Sequence, residues 1–277
     1  MQKSTVMVGR FEIPCAIAGS GPECVVAVNG MQQTMAAWRL VVKRFIRERR
    51  YRLVLFDFPN QGRAKVRTGT ADIGLMEQAD IVGAVVAHVS GGRPVDLLGG
   101  SWGALVAAAF AATSPGRVRK MVLGSFQARA NRRLRDVAQR GRALIQCGRG
   151  SELADLFIRR FGRGMSPTRQ AALRAQFQRL PPERLWQMHD QGALLLSATD
   201  LGTFVDLRQI TAETLIVNGA SDAIVDASDL EGTVGRIPGA ELRVVPGAGH
   251  FLHFERPEIL DIYVEFFNRP MRMVSVA

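Results

Sequence analysis

Apolar and polar positions follow two different periods along the first 126 residues of the chain. Compact apolar runs rich in β-branched residues have the length of buried strands and lie at 24–30, 51–59, 94–100 and 120–126, after one or two short strands within 5–18. Other stretches repeat apolar residues every three or four positions, as one face of a helix does, and lie at 36–49, 74–89 and 102–113. Strands that alternate with helices predict a mostly parallel, twisted sheet flanked by helices.

The alternation stops after residue 126. Residues 127–205 are rich in Ala, Leu, Gln and Arg and predict helices, with breaks at 148–150, 162–164 and 181–182. The strand-then-loop pattern resumes at 214–222 and 241–250, and a last helix is predicted over 258–267. We therefore expect an α/β core of residues 1–126 and 206–277, with an inserted helical cap of residues 127–205.

A serine stands between glycines where a predicted strand meets a predicted helix, in the pentapeptide GGSWG at 99–103. This segment fits G-x-S-x-G. At so sharp a turn, side chains two residues before and after the serine would meet the backbone, which glycine avoids at Gly99 and Gly103. The turn places the Ser101 hydroxyl near a helix N-terminus, which favours negative charge. A plain strand–helix turn with a capping serine produces the same pattern.

Two further residues give this serine the partners that a nucleophile needs. A serine hydroxyl requires a base, and the base requires a carboxylate that orients it. Asp222 follows the predicted strand at 214–219, and His250 lies in the loop after the strand that begins at 241. Because each of the three residues follows a strand, we expect Ser101, Asp222 and His250 to meet at one edge of the sheet as a catalytic triad.

Other acids and histidines compete for these roles. Asp226 is the alternative acid, one short loop beyond Asp222, and His253 is the alternative base in the loop of His250. His88 closes a predicted helix, where a favourable contact with the helix dipole explains it. His189 lies in the helical block, where the alternatives are that it faces the substrate, lies at the surface or packs in the interior.

An oxyanion hole requires two backbone donors. The N–H of Trp102 follows the nucleophile, and the loop after the predicted strand at 24–30 is expected to supply the second donor from Met31. Asn29 in this loop is expected to brace it through hydrogen bonds, and Asp57 to orient the loop after its own strand. A plain Asn-Gly turn is the alternative at position 29.

Composition narrows the class of protein. Hydrophobic residues make up 47% and charged residues 22% of the 277 residues, which is typical of a globular protein. No apolar stretch has the length of a membrane span, and the N-terminus has no apolar core of a secretory signal. The cysteines, Cys15, Cys24 and Cys147, are odd in number and widely spaced, which favours a reducing compartment and argues against disulfides or a metal site. We therefore expect a cytoplasmic protein without a membrane span or metal.

The charge is concentrated in the helical block. Residues 127–190 contain 14 arginines, no lysine and five carboxylates, and so carry +9 of the chain's net charge of +11. Arginines around a pocket would attract an acidic acyl carrier protein or the phosphates of coenzyme A. A solvated arginine-rich face is the alternative, and nucleic acid is not expected because no recognition motif accompanies the charge.

The same residues carry a family resemblance. The chain resembles the α/β-hydrolase superfamily over its whole length. More narrowly, it resembles the bacterial 3-hydroxyacyl transferase group. This group includes the rhamnolipid-pathway enzyme that joins two 3-hydroxyacyl units, and the thioesterase or transacylase that acts on 3-hydroxyacyl groups bound to acyl carrier protein. The similar segments are VNGMQQTMAAW, LVLFDFPNQGR, SWGA, IVNGASDAIVDASDL and GAGHFLHFE. The arginine content of the helical block departs from the group, so only Ser101, Asp222 and His250 are carried over.

The resemblance implies a serine-dependent acyl transferase or thioesterase that acts on 3-hydroxyacyl thioesters through an acyl-enzyme and needs no cofactor. Water as the acceptor gives a thioesterase, and a hydroxyl gives a transferase. A carboxylesterase or C–C bond hydrolase of the same fold is the first alternative. A ligand-binding protein that keeps the fold without turnover is the second.

Overall fold

A computed structural model describes residues 1–59, 61–70, 73–225 and 227–271, and, for residues 227 and 228, the backbone only. Within these residues nine strands form one sheet: β1 (Gln2–Val8), β2 (Phe11–Ala18), β3 (Glu23–Val28), β4 (Tyr51–Phe56), β5 (Lys65–Val66), β6 (Val95–Gly100), β7 (Val118–Gly124), β8 (Glu213–Gly219) and β9 (Glu241–Val245). Their order is β1-β2-β4-β3-β6-β7-β8-β9, with β5 beside β2. All pairs from β4 to β9 are parallel, whereas β2 runs antiparallel to β1, β4 and β5. The predicted mostly parallel sheet is confirmed.

Helices cover both faces of this sheet. The helices of the described residues are α1 (Arg39–Phe45), α2 (Leu75–Ser90), α3 (Trp102–Thr113), α4 (Arg132–Gln146), α5 (Gly150–Arg160), α6 (Pro167–Gln178), α7 (Pro182–Ser197), α8 (Ala227–Val234), α9 (Leu252–Glu255) and α10 (Ile259–Asn268). Helices α2 and α3 bury their apolar faces in one core, and α1 and α10 bury theirs in a second core on the opposite face. Strand β3 lies between the two cores, so Val25 to Val28 are completely buried.

Helices α4 to α7 lie between β7 and β8 in the chain, within the segment expected to form a cap. They are amphipathic: α4, for example, buries Val137, Gly141 and Ile145, which recur every four residues. Their apolar faces pack into small clusters of their own, one of which contains Ile145, Leu153 and Phe177. In the following descriptions, α4 to α7 are called the helical segment.

Two elements differ from the sequence-based expectation. The helix predicted over 36–49 consists of 3-10 turns at Met35–Trp38 and Ile46–Glu48 on either side of α1. No acidic residue stands in the first turn of α1 and no side chain caps its N-terminus, so tighter turns begin and end this segment. Strand β5 was not expected, because two residues carry no periodic signal and its pairing with Phe11 and Glu12 is a tertiary contact.

Lys120, a buried lysine, connects β7 to the last helix. Its ammonium group donates to the backbone oxygens of Phe266 at 3.4 Å and Phe267 at 3.3 Å, and also to that of Arg269. These carbonyls lie at the C-terminal end of α10, where helix carbonyls lack partners of their own and carry partial negative charge. Lys120 therefore holds the end of α10 against the sheet.

Among the described residues, none of the helices combines the length and the apolar character that crossing a membrane requires.

Candidate active site

Ser101 occupies a strained turn between β6 and α3. Its backbone has φ 53° and ψ −120°, a region that residues other than glycine rarely adopt. A Cβ on Gly103 would lie 2.2 Å from the backbone oxygen of Val28, and one on Gly99 would lie 2.6 Å from that of Gly103. The expected steric need for these two glycines is therefore present, and the turn holds Ser101 beside the end of the neighbouring strand β3.

The loops after β8 and β9 bring an acid and a base to this serine. The His250 Nε2 lies 2.9 Å from Ser101 Oγ, and its Nδ1 lies 2.8 Å from Asp222 Oδ2. His250 and Asp222 are buried, with 8% and 7% of their surfaces exposed. The three residues that the sequence singled out therefore lie in one hydrogen-bonded line, although they are separated by up to 149 positions.

Asp222 is held in its ionised form. Burial alone would raise its pKa, but the charge and hydrogen bond of His250 and the backbone N–H groups of Ile224 and Val225 outweigh burial and lower the pKa below its ordinary value. Both N–H groups donate to Asp222 Oδ1, at 2.8 and 3.2 Å. An ionised carboxylate accepts only, so His250 Nδ1 carries the proton and Nε2 is left to accept the proton of the serine.

Two side chains that sequence reasoning missed fix the loop of His250. Ser125 Oγ donates to the backbone oxygen of His250 at 2.6 Å. Glu255 accepts the backbone N–H of Gly249 at 2.8 Å and that of Phe251 at 3.1 Å, one on either side of the histidine. A glycine-containing loop that leaves buried N–H groups needs a nearby acceptor, and the carboxylate five residues after His250 was the available signal.

The predicted oxyanion donors lie on the cavity beside Ser101. Met31 and Trp102 both line it. Among the described residues no protein acceptor takes the backbone N–H of either one. The loop of Met31 is braced as expected, because Asn29 Nδ2 donates to the Phe56 oxygen at 2.8 Å and Asn29 Oδ1 accepts from Trp38 Nε1 at 2.7 Å.

Asp57 also orients the surrounding loops, as expected. Its Oδ1 accepts the Met35 N–H at 2.8 Å, and its Oδ2 accepts the Arg63 N–H at 3.2 Å. These contacts tie the loop after β4 to the loop after β3, which carries Met31. Asp57 is therefore a structural acceptor.

The competing residues lie elsewhere. His253 is buried between aromatic rings, with a Trp38 centroid at 6.3 Å and a Phe254 centroid at 4.5 Å, and its Nε2 has no partner among the described residues. Burial lowers the pKa of His253 to about 4. His189 contacts Asp190 and Gln146, and His88 contacts Ser4 at the surface. Asp226 lies outside the described residues.

A cavity of about 610 Å³ opens onto Ser101 and His250. Pockets of this size hold small-molecule ligands. Sheet-side loops supply Met31, Gln127 and Phe251. The helical segment supplies mainly apolar side chains: Leu134, Phe157, Phe161, Leu173, Phe177, Leu194 and Leu195. Phe161 also packs its ring edge against the His250 ring, with centroids 4.8 Å apart, so the helical segment covers the site directly.

Arginines of the helical segment divide into paired and unpaired groups. Ion pairs within the segment are Arg140–Asp136, Arg160–Asp136, Arg149–Glu152 and Arg174–Asp155. Arg169 is half-buried and lines the cavity, and no carboxylate among the described residues lies within 4.0 Å of it. Exposed Arg159 and Arg163 lack ion pairs by the same criterion within the described part of the chain. Arg169 thus brings a positive charge without a carboxylate partner among the described residues to the wall of the cavity.

Known proteins resemble this chain in sequence. A family model described as the alpha/beta hydrolase fold matches residues 24–257. An (R)-3-hydroxydecanoyl-ACP:CoA transacylase of Pseudomonas aeruginosa is 23% identical over 250 residues, which cover 89% of this chain and 82% of that protein. A 2-hydroxymuconate semialdehyde hydrolase of Pseudomonas putida is 29% identical over 191 residues, or 62% of this chain and 61% of that protein.

Solved structures resemble it in fold. MGS-M2, an alpha/beta hydrolase enzyme from a Medee basin deep-sea metagenome library, superposes with a TM-score of 0.84 at 20% sequence identity. The superposition covers 99% of this chain and 100% of that chain. At this identity the likeness shows the fold alone.

Proposed function

This chain belongs to the α/β-hydrolase fold family, an enzyme superfamily, and we propose that it is a serine-dependent acyl transferase or thioesterase that acts on 3-hydroxyacyl thioesters. The hydrogen-bonded line from Asp222 through His250 to Ser101, opening on an apolar cavity, is the observation that supports this proposal. The line provides an activated hydroxyl, and the cavity provides space for an alkyl chain.

In the proposed reaction, His250 Nε2 removes the proton of Ser101 Oγ while the oxygen bonds to the carbonyl carbon of the thioester. The N–H groups of Met31 and Trp102 stabilise the oxyanion that forms. The carbon–sulfur bond then breaks, the departing sulfur takes the proton from His250, and an acyl ester remains on Ser101. A water or alcohol transfers its proton to His250 Nε2 while its oxygen attacks the carbonyl carbon of this ester. The carbon–oxygen bond to Ser101 then breaks, and His250 returns the proton to Ser101 Oγ.

The substrate class rests on the cavity and on the relatives. The protein of Pseudomonas aeruginosa is named a transacylase of 3-hydroxydecanoyl groups between ACP and CoA. An apolar cavity suits such an acyl chain, and Arg169 suits a phosphate of the carrier, since guanidinium groups bind phosphate through two donors. We place the protein in the cytoplasm, because Cys15, Cys24 and Cys147 are all free thiols.

A C–C bond hydrolase is the second candidate. The hydrolase of Pseudomonas putida has the higher identity, although over a shorter part of both chains. The same serine, base and acid would serve that chemistry or a carboxylesterase. Activity on simple esters or diketones, with thioesters left intact, would favour these alternatives. Tight ligand binding that Ser101→Ala leaves unchanged, without turnover, would favour a binding protein.

The test is mass spectrometry of the intact protein after brief exposure to 3-hydroxydecanoyl and decanoyl thioesters. We expect an adduct with the mass of the acyl group that is absent in Ser101→Ala. Because Cys147 is exposed, its thiol is a site for non-enzymatic exchange with thioesters. The Cys147→Ala variant is therefore the matched control, and its adduct must persist. An adduct lost with Cys147 and kept without Ser101 would refute the proposal.

A further inference from the structure

Gln127 places an unused hydrogen-bond donor in the wall of the active-site cavity. The residue follows β7, lines the cavity together with Ser101 and Ser125, and is 6% exposed. Its Nε2 is buried and has no hydrogen-bond partner among the described residues. Leaving a buried amide donor unpaired costs about 1–3 kcal/mol. We therefore expect Gln127 Nε2 to pair with a bound ligand, since the described residues offer it no acceptor.

The orientation of this amide is fixed by its neighbour Asn131. Asn131 Oδ1 accepts the backbone N–H of Leu134 at 2.9 Å as the N-cap of α4, and its Nδ2 donates to the Ile224 oxygen at 2.7 Å. These two contacts require that Asn131 Oδ1 faces Leu134 and that Asn131 Nδ2 faces Ile224. The other N–H of Nδ2 therefore points towards Gln127. The distance from Asn131 Nδ2 to Gln127 Oε1 is 3.2 Å. Because Oε1 must face Asn131, the unpaired atom of Gln127 is the donor Nε2.

The backbone on both sides of Gln127 is also fixed. Asn218 in β8 exchanges two hydrogen bonds with Phe126, from Phe126 N–H to Asn218 Oδ1 at 3.0 Å and from Asn218 Nδ2 to the Phe126 oxygen at 3.2 Å. On the other side, Ala128 N–H donates to Thr233 Oγ1 at 3.2 Å. A donor held in this way is preorganised, so pairing with a ligand costs little further ordering.

We propose that Gln127 Nε2 donates a hydrogen bond to an oxygen carried on the acyl chain of the substrate, so that Gln127 selects oxygen-bearing acyl groups over plain alkyl ones. This inference rests on the proposed function. The carbonyl oxygen at the reacting carbon has its own donors in Met31 and Trp102, so Gln127 addresses a second oxygen. A plain alkyl chain leaves Nε2 without a partner, as it is among the described residues, whereas a hydroxyl or keto oxygen pairs with it.

The test compares kcat/KM for 3-hydroxydecanoyl and decanoyl thioesters. We expect the native protein to favour the hydroxyacyl substrate by at least about tenfold, because sites built around a buried donor reject analogues that lack its partner. Gln127→Met keeps the approximate size and removes the donor, and the ratio is expected to fall to near one. Gln127→Leu repeats the measurement if the methionine variant does not fold.

Gln191→Met is the matched control. Gln191 is equally buried, at 4% exposure, and its Oε1 also lacks a partner among the described residues. It does not line the active-site cavity, so its loss is expected to leave the substrate ratio at the native value. A ratio that falls equally in both variants would show a general loosening of the fold and would overturn the inference.

The outcomes separate this inference from the proposed function. Turnover of both thioesters with a native ratio near one, or a ratio that Gln127→Met preserves, overturns the role of Gln127 and leaves the proposed function standing. If no thioester reacts, the proposed function fails, and binding of free 3-hydroxydecanoate and decanoate to Ser101→Ala decides the inference. A preference for the hydroxy acid that disappears on adding Gln127→Met supports it, and any other result refutes it.

Discussion

The two sides of the cavity are built differently. On the sheet side, polar groups are fixed by hydrogen bonds to backbone, as in the contacts of Ser125 and Glu255 with the loop of His250. The helical segment instead presents a mainly apolar wall that includes Phe161, Leu173 and Leu195. The triad residues thus depend on the sheet, whereas the shape of the cavity depends on the helical segment, where Leu173 and Leu195 line the cavity and Phe161 also packs against the His250 ring.

The packing of the two sides differs in the same way. The sheet separates two large apolar cores, one against α2 and α3 and the other against α1 and α10. The helical segment has small clusters, and its surface is connected by ion pairs that contribute little each. We therefore expect substitutions of Ser101, His250 and Asp222 to change the reaction for every substrate, and those in the apolar wall of the helical segment to change which chain length reacts.

The largest effect is expected from Asp222→Asn. An amide in place of the carboxylate no longer holds His250 in the reactive tautomer, and kcat is expected to fall by about 10³–10⁴-fold for all substrates. Asp190→Asn is the matched control, because Asp190 Oδ1 lies 3.0 Å from His189 Nδ1 in a similar pair on the helical side, away from the cavity. Steady-state rates that fall equally in both variants would contradict the difference between the two sides.

The pH dependence of the free energy of unfolding is expected to report on His253, which follows His250 by three residues. Burial, and then the charge of Arg169, lowers the pKa of His253 from 6.5 to about 4. The unfolded chain therefore binds this proton at a higher pH, and stability is lost as the pH falls from about 6.5 towards 4, by about 2 kcal/mol between pH 7 and 5. His253→Phe is expected to remove this loss in denaturant unfolding. The exposed His88→Phe is the control, and an unchanged pH dependence in His253→Phe would refute the assignment.

A smaller effect is expected from Leu195→Phe on the helical side. The larger ring occupies the space of about one methylene group of the acyl chain, which corresponds to about 0.8 kcal/mol, or about fourfold in kcat/KM, for the longest substrates. Short substrates are expected to react as before. Leu185→Phe, in the same helix but outside the cavity wall, is the control. A loss of the same size from butanoyl to tetradecanoyl thioesters would show that this wall does not set chain length.

Sequence alone predicted that three distant side chains would meet, because the signals that place them are local. Ser101, Asp222 and His250 each follow a recognisable strand, and parallel strands bring such positions to the same edge. Helix α3 has the predicted bounds because Gly103 and small residues mark its start. The orphan donor of Gln127 was not predictable, since it depends on an N-cap at Asn131 and on a carbonyl 93 positions away.

The charge of the helical segment shows the same limit. The sequence shows that this segment is rich in arginine. Which carboxylate pairs with which arginine, however, is decided by the tertiary structure. Arg140 meets Asp136 one helical turn away, a pairing that spacing predicts, whereas Arg174 meets Asp155 from a different helix. Arg169 keeps its place on the cavity without a carboxylate partner among the described residues. Which arginines stay available for a ligand is thus a property of tertiary structure.

Lys120 makes the catalytic half of the sheet sensitive to the far end of the chain. Its ammonium group relies on carbonyls of residues 266–269, and Ser125 follows the strand that carries it by one residue. Proteolytic trimming into that stretch would leave the Lys120 cation buried without these carbonyl partners, and would not alter one residue of the triad. Limited digestion at the carboxyl end is therefore expected to lower activity, and replacing Lys120 by methionine is expected to reduce the part of this loss that comes from the unpaired cation.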